Sequence, residues 1–153
     1  MIKFHLTCEA AFWPTRATRF SAGFDLYVPF DTIVTLPAYN DPIPSLNHCR
    51  NQIIVDTLVQ VAIPPNHVGL VTPRSGLAAK HGLTVTNSPG IIDSDYRGNI
   101  KVLLINHGDT YLKFVGGDRI AQLIVIPCIT EHSSVHYLDE TERGANGLGS
   151  TGR

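Results

Sequence analysis

The sequence predicts an all-β protein, a barrel or sandwich carrying one short helix. Three observations lead there. Apolar residues recur with a period of two in short runs, as half-buried strands require. Proline and glycine clusters separate the runs, at Pro64–Pro65, Ser88–Gly90 and Gly116–Gly117. One segment alone has helical character. Many short strands divided by frequent turns read as a closed or two-layered β fold.

The elements follow in chain order. The opening MIKFHLTCEAAF lacks the long apolar stretch of a signal peptide. Trp13, in AFWPT, reads as a packing residue. In SAGFDLYVP (21–29) an acid, Asp25, interrupts an apolar strand between Phe24 and Leu26. PAYNDPIPSLNHCRNQ (37–52), with three prolines and many polar groups, reads as an exposed loop. QIIVDTLVQVAIPP (52–65) reads as one strand, with Val55, Thr57, Val59, Val61 and Ile63 on its buried face. HVGLVT (67–72), LTVT (83–86), NIKVLLIN (99–106), YLKFV (111–115), RIAQLIVIP (119–127) and SSVHYL (133–138) are further β-rich runs. SGLAAKHG (75–82) predicts a helix of about two turns, with Ser75 as N-cap, Leu77 to Lys80 as helix formers and Gly82 as the stop. The tail RGANGLGSTGR (143–153) has four glycines and little to bury. Ordering it costs more backbone entropy than it recovers alone, so it is expected to be mobile unless a ligand or neighbour holds it. The chain therefore divides into a β domain, 1–142, and a glycine-rich arm, 143–153.

Composition excludes several classes. A length of 153 residues suits one domain with a real core. A net charge of −1 offers no field for nucleic acid or an acidic membrane. No apolar run approaches the roughly 18 residues of a membrane span. Charged residues make up 16%, below the roughly 25% typical of soluble domains. Either other copies of the chain cover part of the surface, or this is a low-charge monomer. Three widely spaced cysteines, Cys8, Cys49 and Cys128, an odd number without a pairing rhythm, argue against a disulfide scaffold and fit a reducing, cytoplasmic setting.

Several short stretches suit polar chemistry. In GIIDSDYRGN (90–99), Asp93 and Asp95 at i and i+2 share one side of an extended strand. Solvent, a cation or a task needing a confined carboxylate must offset their repulsion. The tail nearly spells a phosphate loop, but Ser150 replaces its lysine, which excludes a Walker-type NTPase. Its glycines, hydroxyls and Arg143 still suit an anion. PRSGLA (73–78) places an arginine and a serine where a helix starts, which is an anion site or a plain cap. Asp25 is either a carboxylate for a metal-bound water or an outward-facing residue. Arg119 and Gln122, in DRIAQLIV, suit a site or an ordinary strand surface. Zinc is not expected: His132 and His136 lack the HExxH glutamate, and His48–Cys49 has no second ligand pair.

Taken in order, AGFDL, PRSGLA, GIIDSDYRGNI, DRIAQLIV and RGANGLGSTG closely resemble the five motifs of the trimeric dUTP pyrophosphatases, over residues 22–152. The resemblance implies a jelly-roll-like β-barrel of the dUTPase type. It implies a homotrimer whose active sites are shared, with the C-terminal arm exchanged between subunits. The implied reaction is hydrolysis of dUTP to dUMP and pyrophosphate, with Mg²⁺ held by the triphosphate and water rather than directly by protein. By resemblance, Asp93 activates the attacking water and Tyr96 packs on the deoxyribose, leaving no room for a 2′-hydroxyl. Asp25 orients a water on Mg²⁺. Arg74, Ser75, Gly76 and Gln122 hold phosphate oxygens. Asn87 and the hairpin backbone from Gly90 to Ile92 read uracil, and a tight hairpin wall rejects the thymine methyl. Arg143, Gly149, Ser150 and Thr151 close over the γ-phosphate. Arg119 is given a structural role, and Asp95 a turn or an ion pair with Arg97.

The sequence departs from the family in three places. Leu148 stands where the family has a phenylalanine that stacks on uracil. Base–aromatic stacking is worth about 1–3 kcal/mol, so Leu148→Phe is expected to lower the Michaelis constant for dUTP; an unchanged or higher constant contradicts it. Asn146 replaces a glycine, and Asn tolerates left-handed backbone. The 37–52 loop is longer than the family's turn and is a candidate surface for a protein partner. Two rivals share the fold. A dCTP deaminase needs a glutamate where this chain has Leu103. A non-catalytic or moonlighting nucleotide-binding regulator would bind without turnover.

Overall fold

The computed structural model describes residues 1–41 and 51–146. Its strands are β1 (Lys3–Leu6), β2 (Phe24–Tyr27), β3 (Ile33–Leu36), β4 (Gln52–Asp56), β5 (Val59–Ala62), β6 (His67–Thr72), β7 (Leu83–Val85), β8 (Gly90–Ile92), β9 (Lys101–Asn106), β10 (Leu112–Val115) and β11 (Arg119–Pro127). A single helix, α1 (Ser75–His81), lies among these described elements. All pairings are antiparallel: a four-stranded sheet β2-β11-β6-β8, a three-stranded sheet β4-β9-β7, and the pairs β1–β5 and β10–β3. The fold is all-β with one short helix, as the period-two runs require.

The core is the inward face of these sheets. Ile100, Val102 and Leu104, in and beside β9, are fully buried with Val28 and Leu36. The predicted inner face of 52–63 is also correct, because Val55, Thr57, Val59, Val61 and Ile63 are all buried. The single strand is not. The chain breaks at Thr57–Leu58, where Leu58 adopts φ 57° and its N–H donates to the Asp56 carboxylate at 2.9 Å. β4 then pairs with β9 while β5 pairs with β1, so one alternating run crosses between two sheets.

Other expectations change as well. SSVHYL forms no strand; Val135, Tyr137 and Leu138 are exposed and find no ladder partner among the described residues. Trp13 is 59% exposed rather than packed. The stretch from Gly90 to Ile92, read as hairpin backbone, is β8 and pairs with β6, while β7 pairs with β9. The described ends of the 37–52 loop are held rather than free: Ala38 and Asn51 are buried.

Buried Asn106 makes that anchor. Its Nδ2 donates to the Pro37 and Thr110 carbonyls, each at 2.8 Å, and its Oδ1 accepts from the Gly108 N–H at 2.9 Å. Replacing it by alanine strands three polar groups, each costing about 1–3 kcal/mol where water cannot reach it. Asn106→Ala is expected to destabilise the fold by about 3 kcal/mol. A urea midpoint within error of wild type, at unchanged slope, contradicts that role.

Candidate active site

Two polar cavities carry the motif residues. The first, about 410 Å³, is lined by Asp25, Arg74, Ser75, Gly76 and Gln122, with Lys80 beside them. Strand register brings these together. Gln122 on β11 lies opposite Asp25 on β2 on one side and opposite Thr72 on β6 on the other. β6 then runs through Pro73 into Arg74 and α1. The Gln122 Nε2 donates to the Pro73 carbonyl at 3.0 Å, tying strand to helix start. Gly23 permits this packing: a Cβ there would strike the Gln122 Oε1 and stand 3.1 Å from its Cδ.

Asp25 is 8% exposed and is the electrostatic centre of this cavity. Its Oδ1 accepts from the Arg74 Nε at 3.0 Å and its Oδ2 from the Arg119 NH1 at 3.1 Å. Arg74 also donates through NH1 to the Arg119 carbonyl at 3.4 Å. Asp25 is therefore not an outward-facing residue, and Arg119 is not simply a solvent-facing strand residue. Two guanidinium groups on one carboxylate leave the cavity cationic, which suits an anion.

Helix α1 differs from its predicted start by one residue. Arg74, with extended backbone at φ −85°, is the N-cap, and Ser75 is the first helical residue. No side chain caps the helix, so the Ser75 hydroxyl is exposed at the cavity instead. Gly82 stops the helix as expected, with φ 66°, and its N–H donates to the Ala78 and Leu77 carbonyls. A Cβ on Gly76 would meet nothing within 4 Å. Nothing in the chain itself demands a glycine there, and the open space belongs to the cavity.

The second cavity, about 180 Å³, is lined by Asn87, Gly90, Ile92, Asp93, Tyr96 and Lys101. β8 is held by β6, with Gly90 opposite Val71. After Ile92 the chain turns, and the Tyr96 N–H donates to the Asp93 carbonyl at 3.2 Å. The turn corrects the idea that Asp93 and Asp95 share one side of an extended strand. Asp93 lines the cavity, whereas Asp95 does not. Arg97 is not paired with Asp95 among the described ion pairs; its NH1 donates to the Ser94 carbonyl at 2.9 Å and the Tyr96 carbonyl at 2.8 Å.

The two cavities share no lining residue. Arg143 lines neither; it is exposed and donates through Nε to the Asn146 carbonyl at 3.0 Å. Leu148, Gly149, Ser150 and Thr151 lie outside the described residues, as do loop residues 42–50. Lys80 and Lys101 were missed from sequence. The i, i+4 spacing of Gly76 and Lys80 puts both on one helix face, a signal that was present. Lys101 had none, because it shares the cavity with Asn87, Gly90 and Val71, which are brought to it by the pairing of β8 with β6 rather than by any local spacing.

Magnesium fits this donor set in one way. Among the described residues no cluster of three His, Cys, Asp or Glu could cage a metal. Mg²⁺ keeps several waters and is commonly held by a carboxylate together with substrate phosphates. Asp25 lines the cationic cavity and, as a carboxylate with about four lone-pair sites, keeps acceptor capacity beyond its two arginine contacts.

The family model described as dUTPase matches residues 9–152. A deoxyuridine 5'-triphosphate nucleotidohydrolase of Wolbachia pipientis subsp. Culex pipiens is 45% identical over 143 residues, covering 92% of this chain and 86% of that protein. One from Beijerinckia indica is 45% identical over 142 residues, covering 91% and 82%. Among solved structures, the Staphylococcus bacteriophage 80alpha dUTPase with dUpNHpp superposes with a TM-score of 0.82 at 25% identity, covering 100% of this chain and 99% of that one. The dUTPase of S. aureus phage phi11, solved for its coordination of a structural Mg(II) ion, has a TM-score of 0.73 at 24% identity, covering 90% and 97%, and shares the fold.

Proposed function

This chain belongs to the dUTPase family and hydrolyses dUTP to dUMP and pyrophosphate, and from that premise we propose how its residues divide the work. The second cavity takes the nucleoside. Asn87 and the backbone from Gly90 to Ile92 hydrogen-bond uracil, and cytosine is rejected because its donor and acceptor pattern leaves groups unpaired. Tyr96 packs on the deoxyribose. Asp93 takes a proton from the attacking water as its oxygen bonds to the α-phosphorus, the α–β bridging bond breaks, and pyrophosphate leaves with that electron pair.

The first cavity takes the triphosphate. Arg74, Ser75, Gly76 and Gln122 hold phosphate oxygens, and Asp25 with Arg119 fixes the Arg74 fork. Asp25 would hold Mg²⁺ through water, and the ion would supply charge neutralisation on the triphosphate. Asp93 is a weak base, so most of the acceleration comes from positioning and from cationic stabilisation.

One observation carries this reading: the turn that delivers Asp93 and Tyr96 to one cavity is separate from the arginine-lined cavity, with no shared residue. A single nucleotide then bridges the nucleoside cavity of one subunit and the phosphate cavity of another in a homotrimer. The arm from 143, with Arg143, Leu148, Gly149, Ser150 and Thr151, closes over that composite site. The 37–52 loop is left as a surface for a protein partner. We place the enzyme in the cytoplasm, in keeping with the free Cys8 and Cys128.

The test is pyrophosphate release with Mg²⁺ from dUTP, dTTP, dCTP and UTP, together with mass by light scattering. Release from dUTP alone by a trimer supports the reading. Ammonia from dCTP, binding without turnover, or an active monomer each contradicts a different part of it.

A further inference from the structure

We infer that Gly98 sets how strictly this chain rejects a ribose, because it forms the seat over which the Tyr96 ring folds. The inference rests on the reading of Tyr96 as the sugar-facing ring. The Tyr96 hydroxyl donates to the Asn99 carbonyl at 3.0 Å, so the ring lies back across its own turn rather than reaching outward. A Cβ at Gly98 would strike the Tyr96 Oη and stand 2.6 Å from Cζ and 3.1 Å from Cε2. Gly98 is not among the positive-φ glycines, so its backbone does not demand glycine; the ring does. Any side chain there must push the distal end of the ring out of its position and break the hydroxyl anchor.

Arg97 stiffens the same seat. Its guanidinium bridges the Ser94 and Tyr96 carbonyls on either side of the turn. The Asn99 that anchors the hydroxyl itself lines the nucleoside cavity. Seat, anchor and cavity wall are thus one short piece of chain, 96–99. A ring held at both its backbone and its hydroxyl cannot yield to a 2′-hydroxyl. A ring freed at the hydroxyl end can move aside.

The experiment compares kcat/KM for dUTP and UTP in wild type, Gly98→Ala, Tyr96→Phe and Tyr96→Ala, with assembly checked by light scattering. The dUTP-to-UTP ratio is expected to fall about tenfold in Gly98→Ala, the scale of an overpacking penalty. In Tyr96→Phe, which keeps the ring and loses the anchor, the fall is about threefold, the scale of one hydrogen bond. A purely structural role for Gly98 would lower both substrates together and leave the ratio unmoved, which overturns the inference. If Gly98→Ala does not assemble, Tyr96→Phe decides alone, and a wild-type ratio there overturns it. Tyr96→Ala separates the two levels. A relaxed ratio in Tyr96→Ala beside a wild-type ratio in Gly98→Ala refutes the seat and keeps the sugar-facing ring; an unrelaxed Tyr96→Ala refutes both.

Discussion

Asp93→Asn is expected to lower kcat for pyrophosphate release from dUTP by about 10²–10⁴-fold, the usual worth of general-base help. Substrate binding and thermal stability should stay near wild type. The reason is local. Asp93 is exposed, and its carboxylate has no hydrogen-bond or ion-pair partner among the described residues; only its backbone carbonyl is used by the turn. Asparagine keeps the shape and loses the ability to take a proton. Surface changes away from packed or paired groups usually shift stability by no more than about 0.5 kcal/mol. Single-turnover rates with saturating dUTP, set beside a calorimetric binding constant and a melting curve, check all three. Near-normal turnover would move the base elsewhere, and a large fall in melting temperature would show that Asp93 holds the turn.

Asp25→Asn should behave oppositely, harming binding and stability at once. It removes the one anion between Arg74 and Arg119 and turns an amide N–H₂ toward a guanidinium. Breaking a fully buried pair costs about 3–5 kcal/mol. Here the arginine side chains are 27% and 45% exposed, so water screens part of the loss, and about 1–3 kcal/mol is expected. For a domain of this size that lowers the melting temperature by about 2–4 °C per kcal/mol. Arg74 also loses its fixed aim, and misplacing one preorganised donor typically costs about 10²-fold in rate. Urea titration and kcat/KM for dUTP read the two losses. A variant with wild-type stability but low activity would leave Asp25 a binding role without the structural one.

Local periodicity made much of this fold readable. The alternation from Val55 to Ile63 predicted the buried face because side chains in a strand alternate sides whatever the strand pairs with. It did not predict the break at Thr57–Leu58, since that break depends on β1 and β9 claiming different halves of the run. SSVHYL has the same alternation and no partner, so pattern alone overstated it. The site divides in the same way. Ser75, Gly76, Asp93 and Tyr96 stood in short motifs and lie at the cavities. The double bridge on Asp25 joins residues 49 and 94 positions away, and no short stretch of sequence records such a contact.

Val71 in strand β6 lines the second cavity and, three residues on, Arg74 at the start of α1 lines the first. In genetic terms this makes each chain a donor to two different sites. If sites are shared between subunits, an allele damaged in one cavity and an allele damaged in the other complement each other in mixed assemblies. Alleles damaged in the same cavity do not, and a lesion of the 71–74 segment that disturbs both cavities complements neither.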